Sequence, residues 1–280
     1  MFMKTNKLII SLLLIFCFCR CTSGGIEEEE YNEEPIVEEN EFNLTISPGA
    51  CFPEVNDKYV YPVVPGMEEW IEANKVLNGS LKLCQLPDSV LESISTPGLI
   101  DALIHAPEFT SGDYLFLGIL SMVRWWNYNY FRFNSARELF QREDAGDALV
   151  AYYKLVCSDC IETLIGVDDW ILSRSYYESF IYKRISGLEY LFIRPEILDN
   201  MEHIKKKEAV VAILGNYEQD EEPWHIFPLV YIMLADEYAP LVQYSQEYDE
   251  MFQSILNGYS YSGWEVVISF AKSYINEKSE

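Results

Sequence analysis

Apolar residues recur at helical spacing through most of this chain. In residues 148–156, and again in residues 266–274, they stand at offsets 0, 1, 4, 5 and 8. Such offsets place the apolar side chains on one face of an α-helix, whereas a half-buried strand would alternate with a period of two. The pattern therefore predicts an all-α fold.

The helical pattern breaks into about ten segments with short connections. The most apolar of them, Ser111 to Trp126, is shorter than a membrane span and is interpreted as a central core helix. Pro195 is predicted to start a short helix. Stacked helical hairpins, similar to a HEAT or TPR solenoid, are the predicted architecture. The sequence has no repeat of fixed period, so the solenoid is a geometric hypothesis.

A short extended strap that lies over the helices, or else a short edge strand, is predicted before the first helix. Residues 59–66 contain two prolines, which exclude helix and favour extended backbone. The first helix is then predicted from Met67 to Leu77, with Trp70 and Ile71 turned inward. Thr96 is predicted to cap a later helix, with Pro97 at its first position.

The N-terminus has the pattern of an export signal. Lys4 and Lys7 precede an apolar run from Leu8 to Phe18, which is too short to span a bilayer. Residues 1–21 are therefore predicted to be a signal peptide. An ordinary signal peptide cut nearby is the alternative to a lipoprotein signal.

Cys21 is the predicted lipidation site. A small polar stretch and the acidic run Glu27 to Glu30 follow it, and this arrangement resembles the surface-export signal of Bacteroidota-type lipoproteins. Arg20 stands where that class prefers a small residue, so Cys19 and Cys17 are the fallback sites. The resemblance implies an outer membrane lipoprotein at the cell surface.

The distribution of acidic residues suggests how the remaining chain is organised, and the net charge argues against nucleic acid and anionic lipid as partners. Residues 22–57 are acidic and predicted to form a flexible tether, and residues 58–280 to form a single helical domain. The chain carries a formal net charge of −25. A chain this acidic repels phosphate backbones, which excludes nucleic acid as a partner. It also repels anionic lipid, so any link to a membrane should be covalent.

The cysteines leave two interpretations open. Cys157 and Cys160 form one CxxC pair, which is either a pair of buried thiols or a local disulfide. A zinc site would need a second pair or nearby histidines, and the three histidines stand at no ligand spacing. His105 and His225 lie beside apolar stripes and are interpreted as hydrogen-bonded structural residues.

One aromatic stretch is the candidate binding surface. Its rings alternate with asparagines that can hydrogen-bond a sugar or a peptide, whereas the other interpretation is that the rings seal the core. The candidate residues are Trp125, Trp126, Tyr128 and Tyr130.

Several short stretches resemble an existing group of proteins. They include residues 61–70, 84–91, 95–99 and 188–191. Together they are similar to a family of exported, helix-rich lipoproteins of Bacteroidota-type bacteria with no assigned activity. The resemblance implies an exported helical domain and transfers no catalytic residue.

The sequence contains no recognisable catalytic, metal or cofactor motif. The acids Glu196, Asp199 and Glu202 share a face, but Lys205 to Lys207 follow them, so a solvated face is the interpretation. The first functional hypothesis is a non-enzymatic lipoprotein that binds or scaffolds a protein or glycan partner. The alternative is a surface hydrolase for glycan or peptide that uses carboxylates assembled by the fold, about 5–10 Å apart for a glycan.

Overall fold

Helices make up nearly all of the regular structure in the computed structural model of this protein. The structure describes residues 36–37, 42–47, 50–110, 130–156, 181, 184–220, 225–256 and 263–277. The prediction of an all-α fold is confirmed. The described residues belong to one unit, Glu34–Glu280, and the preceding unit, Met1–Glu33, lies outside them.

The helices of the N-terminal half are short. They are α1 (Glu68–Asn74), α2 (Gly79–Leu83), α3 (Asp88–Leu91), α4 (Thr96–Ile104), α5 (Pro107–Thr110), α6 (Asn134–Leu139) and α7 (Ala145–Lys154).

The C-terminal half has the longer helices. After a helical stretch through residues 184–191 come α8 (Pro195–Leu198), α9 (His203–Asp220), α10 (Ile226–Ala235), α11 (Ala239–Glu247), α12 (Asp249–Leu256) and α13 (Trp264–Asn276). Pro195 starts α8, as predicted, because a first helical residue needs no backbone N–H donor.

Two short strands precede the helices. β1 (Ile36–Val37) pairs with β2 (Thr45–Ile46) in antiparallel fashion, and Ile36 lies opposite Ile46. Leu44, just before β2, is only 1% exposed and belongs to the core. The packed domain therefore begins well before residue 58, and the predicted tether over residues 22–57 is too long. The sequence suggested a longer tether because glutamates dominate the composition of residues 22–57, and the few apolar residues that pack are a small part of that stretch.

The strap before α1 lies on the core as predicted. Tyr61 is buried, and its hydroxyl donates to the carbonyl oxygen of Ala102 in α4 at 3.0 Å. In α1, Trp70 is 3% exposed but Ile71 is 53% exposed, so the prediction for Ile71 is wrong. Neighbouring residues on a helix point about 100° apart, and α1 contacts the core with too narrow a face to cover both.

The first turn of α4 is fixed by a residue just before the strap. Ser95 caps the helix by accepting from the N–H of Gly98 at 3.1 Å, one residue before the predicted cap Thr96. Asp57 in turn accepts from the Ser95 hydroxyl at 2.9 Å. A Cβ at Gly98 would lie 2.6 Å from Asp57 Oδ1, so this close approach needs glycine.

Helix packing is not restricted to neighbours in the sequence. α4 packs on α6 and α7, α7 packs on α9, and both α9 and α10 pack on α13. In a regular solenoid each repeat contacts only the next one. The described contacts thus give a helical array, and the predicted solenoid stacking is not confirmed.

α10 ends in a tight left-handed corner. The N–H of Tyr238 donates to the carbonyl of Met233, and that of Glu237 to the carbonyl of Leu234, both at 3.0 Å. This is the Schellman pattern, which requires a left-handed residue after the helix and usually has glycine there. Glu237 takes that position with φ +54°, and the corner places Asp236 beside α9 and α13.

Candidate functional site

All three histidines of the chain lie against a carboxylate, and each carboxylate also accepts a hydrogen bond from a tyrosine hydroxyl. Every cluster joins segments that are far apart in sequence. The clusters are Asp101 with His105 and Tyr152, Glu189 with His225 and Tyr153, and Asp236 with His203 and Tyr274.

The Asp101 cluster lies between α4 and α7. Oδ1 of Asp101 is 3.1 Å from Nδ1 of His105 and accepts from the Tyr152 hydroxyl at 2.9 Å. Burial alone would raise the pKa of Asp101, but the hydrogen bond and charge of His105, with Lys58 and Tyr152, bring it below its ordinary value. Burial lowers the pKa of the nearby Arg184 guanidinium to about 10.

The Glu189 cluster is enclosed. Nδ1 of His225 lies 2.5 Å from Oε1 of Glu189, and the two side chains are 0% and 1% exposed. The same carboxylate oxygen accepts from the Tyr153 hydroxyl. Since His225 has no exposed surface, this pair cannot reach a substrate in the described conformation. It is a buried ionisable pair that holds α7, the stretch 184–191 and α10 together.

The Asp236 cluster lies nearer the surface. Oδ2 of Asp236 is 2.5 Å from Nδ1 of His203, whose side chain is 48% exposed, and it accepts from the Tyr274 hydroxyl at 2.7 Å. Lys206 donates to the carbonyl of Ala235 at 3.2 Å and lies 3.8 Å from Oδ1 of Asp236. Asp236 therefore fixes the start of α9 against the end of α10 and against α13.

These contacts correct the interpretation of the lysine run. The solvated face was predicted for three acids and the lysines that follow them. Of the acids, Asp199 and Glu202 are exposed, but Lys206 is only 8% exposed. Lys207 donates to the carbonyl of Glu277 at 2.7 Å and lies 5.5 Å from the ring centre of Tyr274. Lys205 lies 3.7 Å from Glu208, and the two side chains are 30% and 34% exposed.

A groove opens beside the Asp236 cluster. It encloses about 470 Å³ between α9, the end of α7 and α13. Ile204 and Val211 are 54% and 52% exposed, which is unusual for branched apolar side chains on one helix face. The lining residues are Lys154, Ile204, Lys207, Glu208, Val211, Ala212 and Ile275.

The rim of this groove is basic although the whole chain is strongly acidic. Lys154 and Lys205 reach the same carboxylate, Glu208, at 3.4 Å and 3.7 Å. Lys207 lines the groove as well. Lys154 and Lys205 thus share one glutamate, and Lys207 lies along the same apolar floor, in a chain of net charge −25.

A second groove follows the outer face of α13. It is lined by Glu265, Lys272 and Glu277 among other residues. Glu265 lies in the first turn of α13 and Glu277 directly follows its last residue, so about 18 Å of helix separates the two glutamates. Glycoside hydrolysis needs two carboxyl groups within about 10 Å, so this groove does not supply them. The first groove contributes only one carboxylate, Glu208.

The predicted binding aromatics are only partly within the described structure. Tyr130 is 0% exposed, and its hydroxyl donates to the carbonyl oxygen of Gly187. It is thus a core residue and not part of an exposed platform, because its ring is packed and its hydroxyl is satisfied inside the protein. Trp125, Trp126 and Tyr128 lie outside the described residues.

The cysteines give one unexpected result. Cys51 is buried and disulfide-bonded, whereas Cys84 is buried and free. The partner of Cys51 therefore lies outside the described residues, as do Cys21, Cys157 and Cys160. Burial raises the pKa of the Cys84 thiol to about 12.

Neither the three carboxylates nor the groove was predicted from the sequence. A signal for Asp101 was present, because it interrupts the apolar run from Leu99 to Ile104 on a helix that is buried on all sides. Glu189 similarly stands between Leu188 and Tyr190. A single acid within an apolar helical run indicates a buried, partnered carboxylate.

In the described part of the chain, no group of three or more His, Cys, Asp or Glu side chains could hold a metal ion. Within the same residues, no helix has both the length and the apolar character needed to cross a bilayer. Comparison of the chain with protein-family models, curated proteins and solved structures gave no match.

Proposed function

We propose that this protein is an exported, lipid-anchored binding protein whose helical domain engages a partner protein outside the cytoplasm. The observation that carries the proposal is the groove beside α9, where Ile204 and Val211 are half exposed between lysines. Exposed apolar surface with a polar rim is typical of a protein interaction site.

The leader supports the location. Lys4 and Lys7 before an apolar run form an export pattern, and Cys21 with the acidic run after it resembles a surface lipoprotein signal. A chain of net charge −25 would be repelled by anionic lipid headgroups. A covalent anchor at Cys21 is therefore the proposed link to the outer membrane, with the domain on the cell surface.

The chemistry of the described residues supports binding over hydrolysis. The three histidines are engaged with carboxylates inside or between helices. Each of the two described grooves lacks a closely spaced pair of acids, since Glu265 and Glu277 stand at opposite ends of α13. The hydrolase alternative gains no support from these residues.

In-cell photo-crosslinking tests the proposal. A photoreactive residue in place of Val211, in the full chain with Cys21 retained, should give one main adduct that mass spectrometry identifies as another protein. The same residue in place of the exposed Tyr231 on α10 is the control and should not give that adduct. Equal adducts at both positions would contradict the proposed binding site. A mature N-terminus without an acyl chain would contradict the proposed lipid anchor.

A further inference from the structure

The groove beside α9 has features that define its ligand more closely. We infer that it binds an acidic amphipathic helix of the partner protein. This inference rests on the proposed binding function and adds the secondary structure and the charge of the segment that is bound.

The floor of the groove matches the apolar face of a helix. Ile204 and Val211 are seven residues apart on α9, so they lie on the same face two turns apart, about 10 Å along the axis. Ala212 and Ile275 extend this floor towards α13. A helix placed along the groove would present apolar residues at positions i, i+3 or i+4, and i+7 to these side chains.

The walls favour a helical ligand over an extended one. They belong to α7, α9 and α13, whose backbone N–H and C=O groups are bonded within their own helices except in the terminal turns. A helical wall offers no strand edge, so an extended peptide would find no backbone partners there. A helical ligand satisfies its own backbone and needs only side-chain contacts.

The rim determines the charge of the ligand. Lys154 and Lys207 line the groove, and Lys205 lies 3.7 Å from its one lining carboxylate, Glu208, which compensates only part of the charge of these lysines. Glutamates on the polar edges of a bound helix would pair with these lysines. A basic helix would instead place like charges against them, and would be drawn to the acidic surface elsewhere on the chain.

Peptide binding tests the inference directly. The probe is a fluorescent, helix-stabilised peptide of about 18 residues with leucines on one face and glutamates on the other. Its controls are the same peptide with lysines in place of the glutamates, and a scrambled peptide of equal composition. Fluorescence anisotropy with the full chain in detergent should show tighter binding of the acidic helix than of either control.

Matched variants locate the site. Val211→Ser should weaken binding of the acidic helix by about tenfold through loss of apolar contact. Lys154→Gln should weaken it by about threefold, as expected for one partly exposed ion pair. Leu77→Ser and Lys75→Gln change an exposed apolar residue and an exposed lysine outside the groove, and should leave binding unchanged. Circular dichroism should show all four variants folded.

The outcomes separate the inference from the proposed function. The inference that the groove binds an acidic helix would be wrong if the lysine peptide bound equally or more tightly. It would also be wrong if Val211→Ser bound the acidic peptide as tightly as the native chain. If Val211 still crosslinks to another protein in cells, the binding function stands without it. An adduct between two copies of this chain, or within one copy, would identify a different occupant and overturn both.

Discussion

Tyr152 and Tyr153 are consecutive residues of α7, yet their hydroxyls donate to two different carboxylates, Asp101 and Glu189. Adjacent residues on a helix point about 100° apart, so α7 contributes one donor to each of two neighbouring interfaces. Both rings are at most 1% exposed. One short stretch of sequence thus fastens α7 to α4 on one side and to the stretch 184–191 on another.

Replacing either tyrosine by phenylalanine should destabilise the fold. Each of Tyr152→Phe and Tyr153→Phe removes one hydrogen bond to a buried carboxylate, with an expected loss of about 1.5–3 kcal/mol. Because they serve different carboxylates, the double variant should lose roughly the sum of the two. Urea denaturation measures all three. Tyr59→Phe, on a half-buried ring of the strap, is the control, and a double variant no worse than either single one would contradict the independence of the clusters.

Asp101 should make the protein sensitive to acid. Its pKa is lower in the folded protein than the ordinary aspartate value, so the unfolded state binds more protons in that range. Its contribution to the free energy of unfolding is therefore fully present above about pH 4 and is lost as the pH falls through the folded-state pKa. Asp101→Asn should be less stable than the native chain at neutral pH, and the difference should shrink in acid.

Denaturation at several pH values between about 2 and 7 checks this expectation. Glu92→Gln, at an exposed position directly after α3, is the control. Its free energy of unfolding should change with pH as that of the native chain does. If the difference in free energy of unfolding between Asp101→Asn and the native chain stayed constant down to the lowest pH, the Asp101 carboxylate would not be the acid-sensitive group.

Glu237 should tolerate glycine with a gain in stability. It is an exposed residue in the left-handed position after α10, with φ +54°, where a side chain is strained and glycine is not. Glu237→Gly should raise the free energy of unfolding by about 0.5–1 kcal/mol after allowance for the greater freedom of glycine in the unfolded chain. Thermal unfolding measures the change. Glu250→Gly within α12 is the same substitution in a right-handed helix and should destabilise instead.

The two described cysteines should react differently. Cys84 is fully buried with its pKa raised to about 12, so native protein near pH 8 should leave this thiol unmodified by a water-soluble alkylating reagent. Unfolding should expose it at once. Peptide mapping without reduction should find Cys51 in a disulfide, identify its partner, and find Cys84 in none. Rapid labelling of Cys84 in the native protein would contradict the described packing.

The sequence predicted those features of the fold that depend on local pattern. Helical offsets identified α7 and α13, proline identified the start of α8, and neighbouring apolar stripes indicated that His105 and His225 are structural, as their carboxylate contacts confirm. These features need no knowledge of which helix packs on which.

The candidate site depends on such knowledge. Lys154, Val211 and Ile275 come from three helices spread over more than a hundred residues, and only packing brings them to one groove. The burial of Lys206 likewise follows from Asp236 and Ala235, which the sequence places far from it. An amphipathic pattern gives the direction of a side chain from its own helix axis, but not which neighbouring helix covers it.

The pairing of β1 and β2 has a mechanical consequence for a chain held at its N-terminus. With the proposed anchor at Cys21, a pulling force reaches β1 from its N-terminal side, and an antiparallel pair loaded from its open end unzips one hydrogen bond at a time. Peeling as far as the buried Leu44 would let the eight residues after Ile36 extend to a span of at most about 28 Å. The strands would then yield before the helices do, and the domain could be displaced from the membrane without unfolding its groove.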